Sequence, residues 1–190
     1  MVGTPYYNLT FREVEESMIV YQDDFRGFDQ NLLSNGVPIT DWPSDVSLYV
    51  KGKNPTDYLF YPLASWFTIS KKARIALEEA HIGGLQFLPV HVFHKSGIEL
   101  PGYVIVNVKI IVSALDYEHT IWLTPEREHV IYPQLNLFKE ALSQKNINGL
   151  DIFRLSELKT QIYVSRYFKE CLERKNVSTG FGFMPVSAYG

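Results

Sequence analysis

The sequence is poor in cysteine and in long apolar runs. Cys171 is its one cysteine, which excludes an internal disulfide framework and favours a reducing compartment. The longest apolar stretch, 103–115, is interrupted by Asn107 and Lys109 and is too short to span a membrane. Residues 1–16 lack the basic segment and apolar run of a secretory signal. We therefore expect a cytoplasmic protein without a membrane partner.

Positive charge is scarce in the first third of the chain. Residues 1–60 contain nine acidic and four basic side chains, whereas the remainder contains 12 acidic and 14 basic ones. This imbalance argues against a nucleic-acid partner, because such binding depends on basic surface. It is compatible with docking on a basic protein. Acidic side chains that only keep the surface solvated are the alternative interpretation.

The composition is that of a globular protein rich in aromatic residues. Hydrophobic residues make up 46% of the chain and charged residues 21%, which excludes a disordered chain. Aromatic residues reach 14%, a content that favours strands and broad contact surfaces. The length of 190 residues is sufficient for one sizeable core. We expect a single domain over residues 1–190.

The chain contains an internal pseudo-repeat, in units 66–93 and 161–187. Each unit has a short run of β-branched or aromatic residues, a serine, an amphipathic stretch, a loop and a Phe-x-Pro-Val segment. Such self-similarity predicts two similar strand–helix–strand units. Ser70 and Ser165 stand where helix N-caps are expected, and Cys171 falls on the apolar face of the second helix, where a small thiol packs into the core.

A strand with two apolar faces lies between the units, at 102–112, and is typical of the middle of a sheet. Shorter strands are predicted at 128–132 and 152–155, and 138–142 leans towards a helix. The predicted fold class is α+β: a mixed, mainly antiparallel sheet or sheets, with the two units packed around this central strand.

Two carboxylates and an imidazole crowd the turn after that strand. Asp116, Glu118 and His119 could supply acid–base groups or metal ligands; a polar turn in which Asp116 accepts backbone N–H bonds is the alternative. His91 and His94 are three apart on a predicted strand, so they face opposite sides and do not share a metal. The sequence predicts neither a metal site nor a cofactor.

Several longer segments together resemble a known family. They are NLLSNGVPITDWPSDVSLYV, TDYLFYPLASWFTISKKARIALEE, LQFLPVHV, GYVIVNVKIIVSALDYEHT and DIFRLSELKTQIYVSRYFKECLERKNVSTGFGF. In this order they resemble the bacterial immunity proteins of polymorphic toxin systems, a family founded on a myxobacterial protein. The resemblance covers nearly the whole chain. By the family pattern, Tyr103, Asn107, Asp116 and the pair Phe153-Arg154 stand at characteristic places, and Thr120 replaces a serine found in many relatives.

The resemblance implies a cytosolic antidote that is encoded beside a polymorphic toxin and that binds and neutralises the cognate toxin domain without catalysis. The protein is expected to be a monomer or a homodimer. Acidic and aromatic residues outside the repeat are then the candidates for toxin contact: Asp23, Asp24, Asp29, Asp41, Trp42, Asp45, Asp116, Glu118 and His119. Two alternatives belong to other classes. One is a hydrolase that uses Asp116, Glu118 and His119; the other is a structural or regulatory module that self-associates through an exposed strand edge.

Overall fold

A computed structural model describes residues 6–62, 64, 66–123 and 137–190. Its strands are β1 (Tyr6–Phe11), β2 (Ile19–Asp24), β3 (Ser47–Lys51), β4 (Tyr58–Leu59), β5 (Phe67–Ile69), β6 (Leu85–Pro89), β7 (His91–His94), β8 (Val104–Val108), β9 (Ile111–Val112), β10 (Ile121–Trp122), β11 (Leu137–Lys139), β12 (Ala141–Ser143), β13 (Ile152–Leu155), β14 (Tyr163–Ser165) and β15 (Phe181–Tyr189). Its helices are a 3₁₀ helix (Gln30–Ser34), α1 (Lys71–Glu79), α2 (Gln144–Ile147) and α3 (Arg166–Arg174). The predicted α+β class is confirmed.

The described strands form four sheets. A four-stranded sheet has the order β4-β5-β8-β6 and is antiparallel throughout. A six-stranded sheet has the order β12-β15-β1-β14-β13-β9, antiparallel in its middle and parallel at its two outermost pairs. A three-stranded sheet, β2-β3-β7, and a two-stranded ribbon, β10-β11, complete the set. Antiparallel pairing therefore dominates, as the sequence predicts.

Each repeat unit has its own central strand. In the first unit β5 and β6 both pair with β8, and Pro89 lies opposite Val104. In the second unit β14 and β15 both pair with β1, and Pro185 lies opposite Tyr7. The sequence suggested a single central strand at 102–112. The structure instead divides that segment into β8, which serves the first unit, and β9, which pairs with β13.

The two long helices begin at serine caps, and this prediction is confirmed. The Ser70 hydroxyl oxygen accepts a hydrogen bond from the N–H of Ala73, and its hydroxyl donates to Asp57 at 2.7 Å. Ser165 caps α3 in the same way and donates to Asp151 at 2.7 Å. Such a side chain satisfies one of the N–H groups that a helix start leaves unpaired, a contribution of about 1 kcal/mol.

The helices bury one face each against a shared core. From α1 the buried side chains are Ala73, Ala76 and Leu77; from α3 they are Phe168, Cys171 and Leu172. Cys171 is only 5% exposed, and burial raises the pKa of its thiol to about 11. The thiol is therefore protonated and unreactive at neutral pH. Its predicted place in the core is confirmed.

The helix predicted at 138–142 is wrong. The structure has β11 and β12 there, with Ala141 opposite Ser187 and Leu142 opposite Ala188 in parallel pairing with β15. A partner strand more than forty residues away decides the conformation, and tertiary pairing overrides a weak local helix preference. The strand predicted at 128–132 lies outside the described residues.

The loop after α3 docks on Asp57 and on β4, just before the first unit. Asp57 accepts hydrogen bonds from both the N–H and the hydroxyl of Thr179, and Tyr58 N–H donates to the Thr179 carbonyl at 3.0 Å. Gly180 follows with φ +81°, and a Cβ there would lie 2.6 Å from the Tyr58 carbonyl oxygen. Only glycine therefore permits this close approach of the loop to β4.

Gly180→Ala should be far more destabilising than Gly149→Ala. Both positions have positive φ, +81° and +79°, but a Cβ at Gly149 would meet nothing within 4 Å. We expect Gly149→Ala to lower the free energy of unfolding by about 1 kcal/mol through backbone strain alone. Gly180→Ala should lower the free energy of unfolding by about 1–3 kcal/mol more than Gly149→Ala does, because a backbone clash is added. Urea unfolding of both variants measures the difference; equal losses would contradict the docking of this loop.

Candidate functional site

Two acidic segments that are distant in sequence meet around one cation. The Arg26 side chain lies 3.2 Å from the Asp24 carboxylate through Nη1 and 2.9 Å from the Asp45 carboxylate through Nε. It thus joins the segment after β2 to the segment before β3. We call residues 23–29 and 41–45 together the acidic loops.

An aromatic layer lies between the acidic loops. The ring of Trp42 packs edge-on against Phe25 and Phe28, with centroid distances of 5.7 and 5.0 Å. Phe25 is buried and also packs against Trp66 at 5.2 Å. The Trp42 indole N–H donates to the Pro89 carbonyl at 2.8 Å. Trp42 is therefore half-buried and held in place, as an interface anchor requires.

Most of the carboxylates have partners inside the chain. Asp23 accepts from the Gln30 amide at 3.2 Å and from the Tyr61 hydroxyl; this hydrogen bond, with some burial, raises the pKa of Tyr61 to about 12. Asp29 accepts from the N–H of Asn31 at 3.0 Å and caps the 3₁₀ helix. Within the described part of the chain, the exposed Asp41 carboxylate has neither a hydrogen-bonding nor an ionic partner.

The third predicted segment forms a capped turn elsewhere in the fold. Asp116 Oδ1 accepts from the N–H groups of Glu118 and His119 at 3.0 and 3.1 Å, which is the backbone bonding that the polar-turn interpretation expects. Asp116 Oδ2 lies 2.9 Å from His119 Nδ1. The partial burial of this carboxyl would raise its pKa, but the hydrogen bonds and the charge of His119 outweigh burial, so its pKa lies below the usual value.

Two contacts orient the imidazole ring of His119. Its ring stacks on Tyr189 with a centroid distance of 4.0 Å, and Asp116 holds Nδ1. A depression beside it is also lined by Ser143 and Lys145. A carboxylate-oriented imidazole is a component of acid–base catalysis. Exposed Glu118 joins the pair through its backbone N–H.

The structure brings two of the three predicted segments together. The acidic loops lie over the core that contains Phe25, Val46 and Leu48. The Asp116 turn belongs to the edge of the six-stranded sheet, where Asp116 N–H donates to the Ala141 carbonyl at 2.8 Å.

Metal-binding geometry is missing from the part of the chain that the structure describes. No three His, Cys, Asp or Glu side chains group there closely enough to hold a metal ion. His91 bonds Glu99 through Nδ1, whereas His94 bonds Ser96 and the Gly52 carbonyl.

The contact residues predicted from the sequence do not name Arg26 or Phe25. A signal for Arg26 existed, because it is the one basic residue between 13 and 50, among a run of acids. Phe25 carries no comparable signal, since aromatic residues are spread along the whole chain.

Comparison with known proteins places the molecule in the class of immunity proteins. Residues 8–188 match the model of the immunity protein family Imm11, and the chain belongs to that family. Among curated proteins, no significant match is found. Within the described residues, no helix has the length and apolar character needed to cross a membrane.

Arg26 adopts φ +53°, which makes its backbone a test of the loop geometry. Its ion pairs are exposed and contribute about 0–1 kcal/mol each. We expect Arg26→Gly to be about 1 kcal/mol more stable than Arg26→Ala, because only alanine retains the left-handed strain. Both variants lose the same ion pairs, so each serves as the control for the other in urea unfolding. An alanine variant as stable as the glycine variant would contradict the described conformation.

Proposed function

We propose that this protein neutralises a cognate toxin domain by binding it, without catalysing a reaction, and that the acidic loops form its principal contact. The observation that carries the proposal is the match to the immunity family over residues 8–188. Membership implies toxin neutralisation; the contact surface and the mode of action are our inference from the geometry.

The charge of the acidic loops suits a basic toxin surface. They contain Asp23, Asp24, Asp29, Asp41 and Asp45 against the single cation Arg26. An excess of negative charge accelerates encounter with a basic partner and suppresses wrong ones. Nuclease-type toxins have such basic faces, because they must bind phosphate.

Apolar side chains close to the acidic loops supply contact area. Trp42 is partly exposed, and Leu32 and Val37, which lie between the two acidic segments in sequence, are 37% and 45% exposed. An apolar centre with a polar rim is the usual anatomy of a protein interface. The combination supports binding of a protein rather than of a small ion.

Asp116, Glu118 and His119 are proposed as a second contact. Their position on a different sheet from the acidic loops makes the two contacts separable by mutation. We also propose that the protein acts in the cytoplasm as a monomer or homodimer, with neither nucleic acid nor membrane as a partner. The acidic first third and the single buried thiol support this.

Charge reversal at Asp41 should weaken toxin binding. Asp41 is the cleanest choice because its substitution breaks no internal bond of the described residues. We expect Asp41→Lys to slow association with the product of the adjoining toxin gene by about two- to tenfold at low salt, and less at high salt. Stopped-flow fluorescence at two ionic strengths measures the rate.

The matched control is Glu170→Lys on α3. Glu170 is exposed, and the change alters the net charge equally. Association as slow in Glu170→Lys as in Asp41→Lys would contradict a local contact at the acidic loops. A wild-type protein that forms no complex with the toxin product overturns the proposed function itself.

Stoichiometry distinguishes a binding antidote from an enzyme. The hydrolase alternative is favoured by one observation, the 2.9 Å contact of His119 Nδ1 with Asp116. A binding protein must abolish toxin activity only at about one molecule per toxin domain, whereas an enzyme acts at far lower ratios. We expect a titration at concentrations above the dissociation constant to end at equimolar protein. Asp116→Asn/His119→Gln should weaken the affinity, because these residues belong to the proposed second contact, but should leave the endpoint equimolar. Substoichiometric inactivation that this double variant loses would establish the hydrolase.

A further inference from the structure

A half-buried and a fully buried amide side chain lie side by side on two neighbouring strands of the four-stranded sheet. Gln86 on β6 and Asn107 on β8 stand opposite each other in register, and Asn107 Nδ2 donates to Gln86 Oε1 at 3.0 Å. Gln86 also accepts from the N–H of Ile39 at 2.9 Å and donates to its carbonyl at 2.8 Å. Asn107 Nδ2 donates to the Val37 carbonyl at 2.8 Å. Two side chains thus satisfy the backbone of an irregular segment.

That segment continues directly into the acidic loops. Asp41 and Trp42 follow Ile39 by two and three positions, and the Trp42 indole N–H bonds the Pro89 carbonyl. Gln86 and Pro89 both belong to β6. The strand therefore holds the segment at two points, one on each side of Thr40 and Asp41.

A contribution to folding stability alone explains the Gln86–Asn107 pair poorly. Asn107 is fully buried, and within the described residues its Oδ1 accepts no hydrogen bond. A buried acceptor without a partner is destabilising, and an apolar side chain of similar size avoids that cost. The hydrogen bonds to Val37 and Ile39 are what an apolar residue could not provide.

We propose that Gln86 and Asn107 are positioning residues for toxin binding: they fix residues 37–42 on the four-stranded sheet and so preset Asp41 and Trp42 for the toxin. This rests on the proposed function. Ordering these residues before encounter reduces the entropy lost on binding, which is the general advantage of preorganisation.

The decisive variant is Gln86→Met/Asn107→Leu, which replaces both amides by apolar groups of similar size. Its matched control is Thr68→Val on β5 of the same sheet. Thr68 is also fully buried, its hydroxyl has no partner among the described residues, and it lies opposite Ile105. Both variants remove unsatisfied buried polarity, but only the first removes bonds to residues 37–39.

The first readout concerns the segment and needs no toxin. We expect the Ile39 amide to exchange with deuterium about tenfold faster or more in the double variant, because its acceptor is lost. With fluorotryptophan at the three tryptophans, the Trp42 resonance should shift while those of Trp66 and Trp122 stay. Thr68→Val should change neither signal. If the double variant fails to fold, Gln86→Met alone is subjected to the same measurements.

The second readout is binding to the purified product of the adjoining toxin gene. We expect the double variant, with circular dichroism unchanged, to bind about ten- to a hundredfold more weakly, and Thr68→Val to bind within about twofold of the wild type. An unchanged exchange rate at Ile39, or full affinity despite a loosened segment, overturns the positioning role. A wild-type protein that does not bind overturns the proposed function, and the exchange data then decide separately whether the pair holds the segment.

Discussion

The carboxylate of Asp57 joins the two units beside the core that their helices share. It accepts the hydroxyl of Ser70 at the start of α1 and two hydrogen bonds from Thr179 in the loop after α3. One side chain therefore connects the cap of the first helix with the second unit, and the close approach at Gly180 becomes possible. Hydrogen bonds to an ionised carboxylate are stronger than those between neutral groups, and several donors fix its orientation. Because α1 and the four-stranded sheet are fixed in this way, the opposite face of that sheet can support the segment that leads to the acidic loops.

The side chains of β8 alternate between the two faces of this sheet. Val104, Val106 and Val108 belong to the core under the helices, whereas Ile105 belongs to the core under the acidic loops and Asn107 bonds the segment that leads to them. A strand sends successive side chains to opposite faces, so one strand serves both layers. The polar Asn107 in an otherwise apolar strand marks the place where the sheet holds irregular backbone. Scaffold and candidate site are thus two faces of one sheet.

Sequence reasoning predicted what depends on neighbouring residues and missed what depends on distant ones. The caps Ser70 and Ser165 and the buried Cys171 follow from local pattern, and the structure has them as expected. The pairing of β1 with β14 and β15 joins residues more than 150 positions apart, for which periodicity carries no information. The contacts of Arg26 and Gln86 are of the same kind: each joins segments whose spacing in sequence is irregular. The acidic segments themselves were recognisable from charge, but their meeting was not.

The internal partners of the acidic loops divide their carboxylates into two roles. Asp24 and Asp45 share Arg26, and a toxin cation that paired with either would have to compete with that guanidinium. Asp24 and Asp45 therefore contribute mainly by long-range electrostatic attraction, which requires no change of partner. This attraction extends over roughly a Debye length, about 8–10 Å at physiological salt. Asp41 has no such competitor within the described residues and can pair directly. In the proposed role, the contribution of Asp41 to toxin binding depends on its position, and Gln86 and Asn107 bond the backbone at Val37 and Ile39 just before it. Under the proposed function, charge and backbone therefore act together, because β6 and β8 hold the segment that carries Asp41 and Trp42.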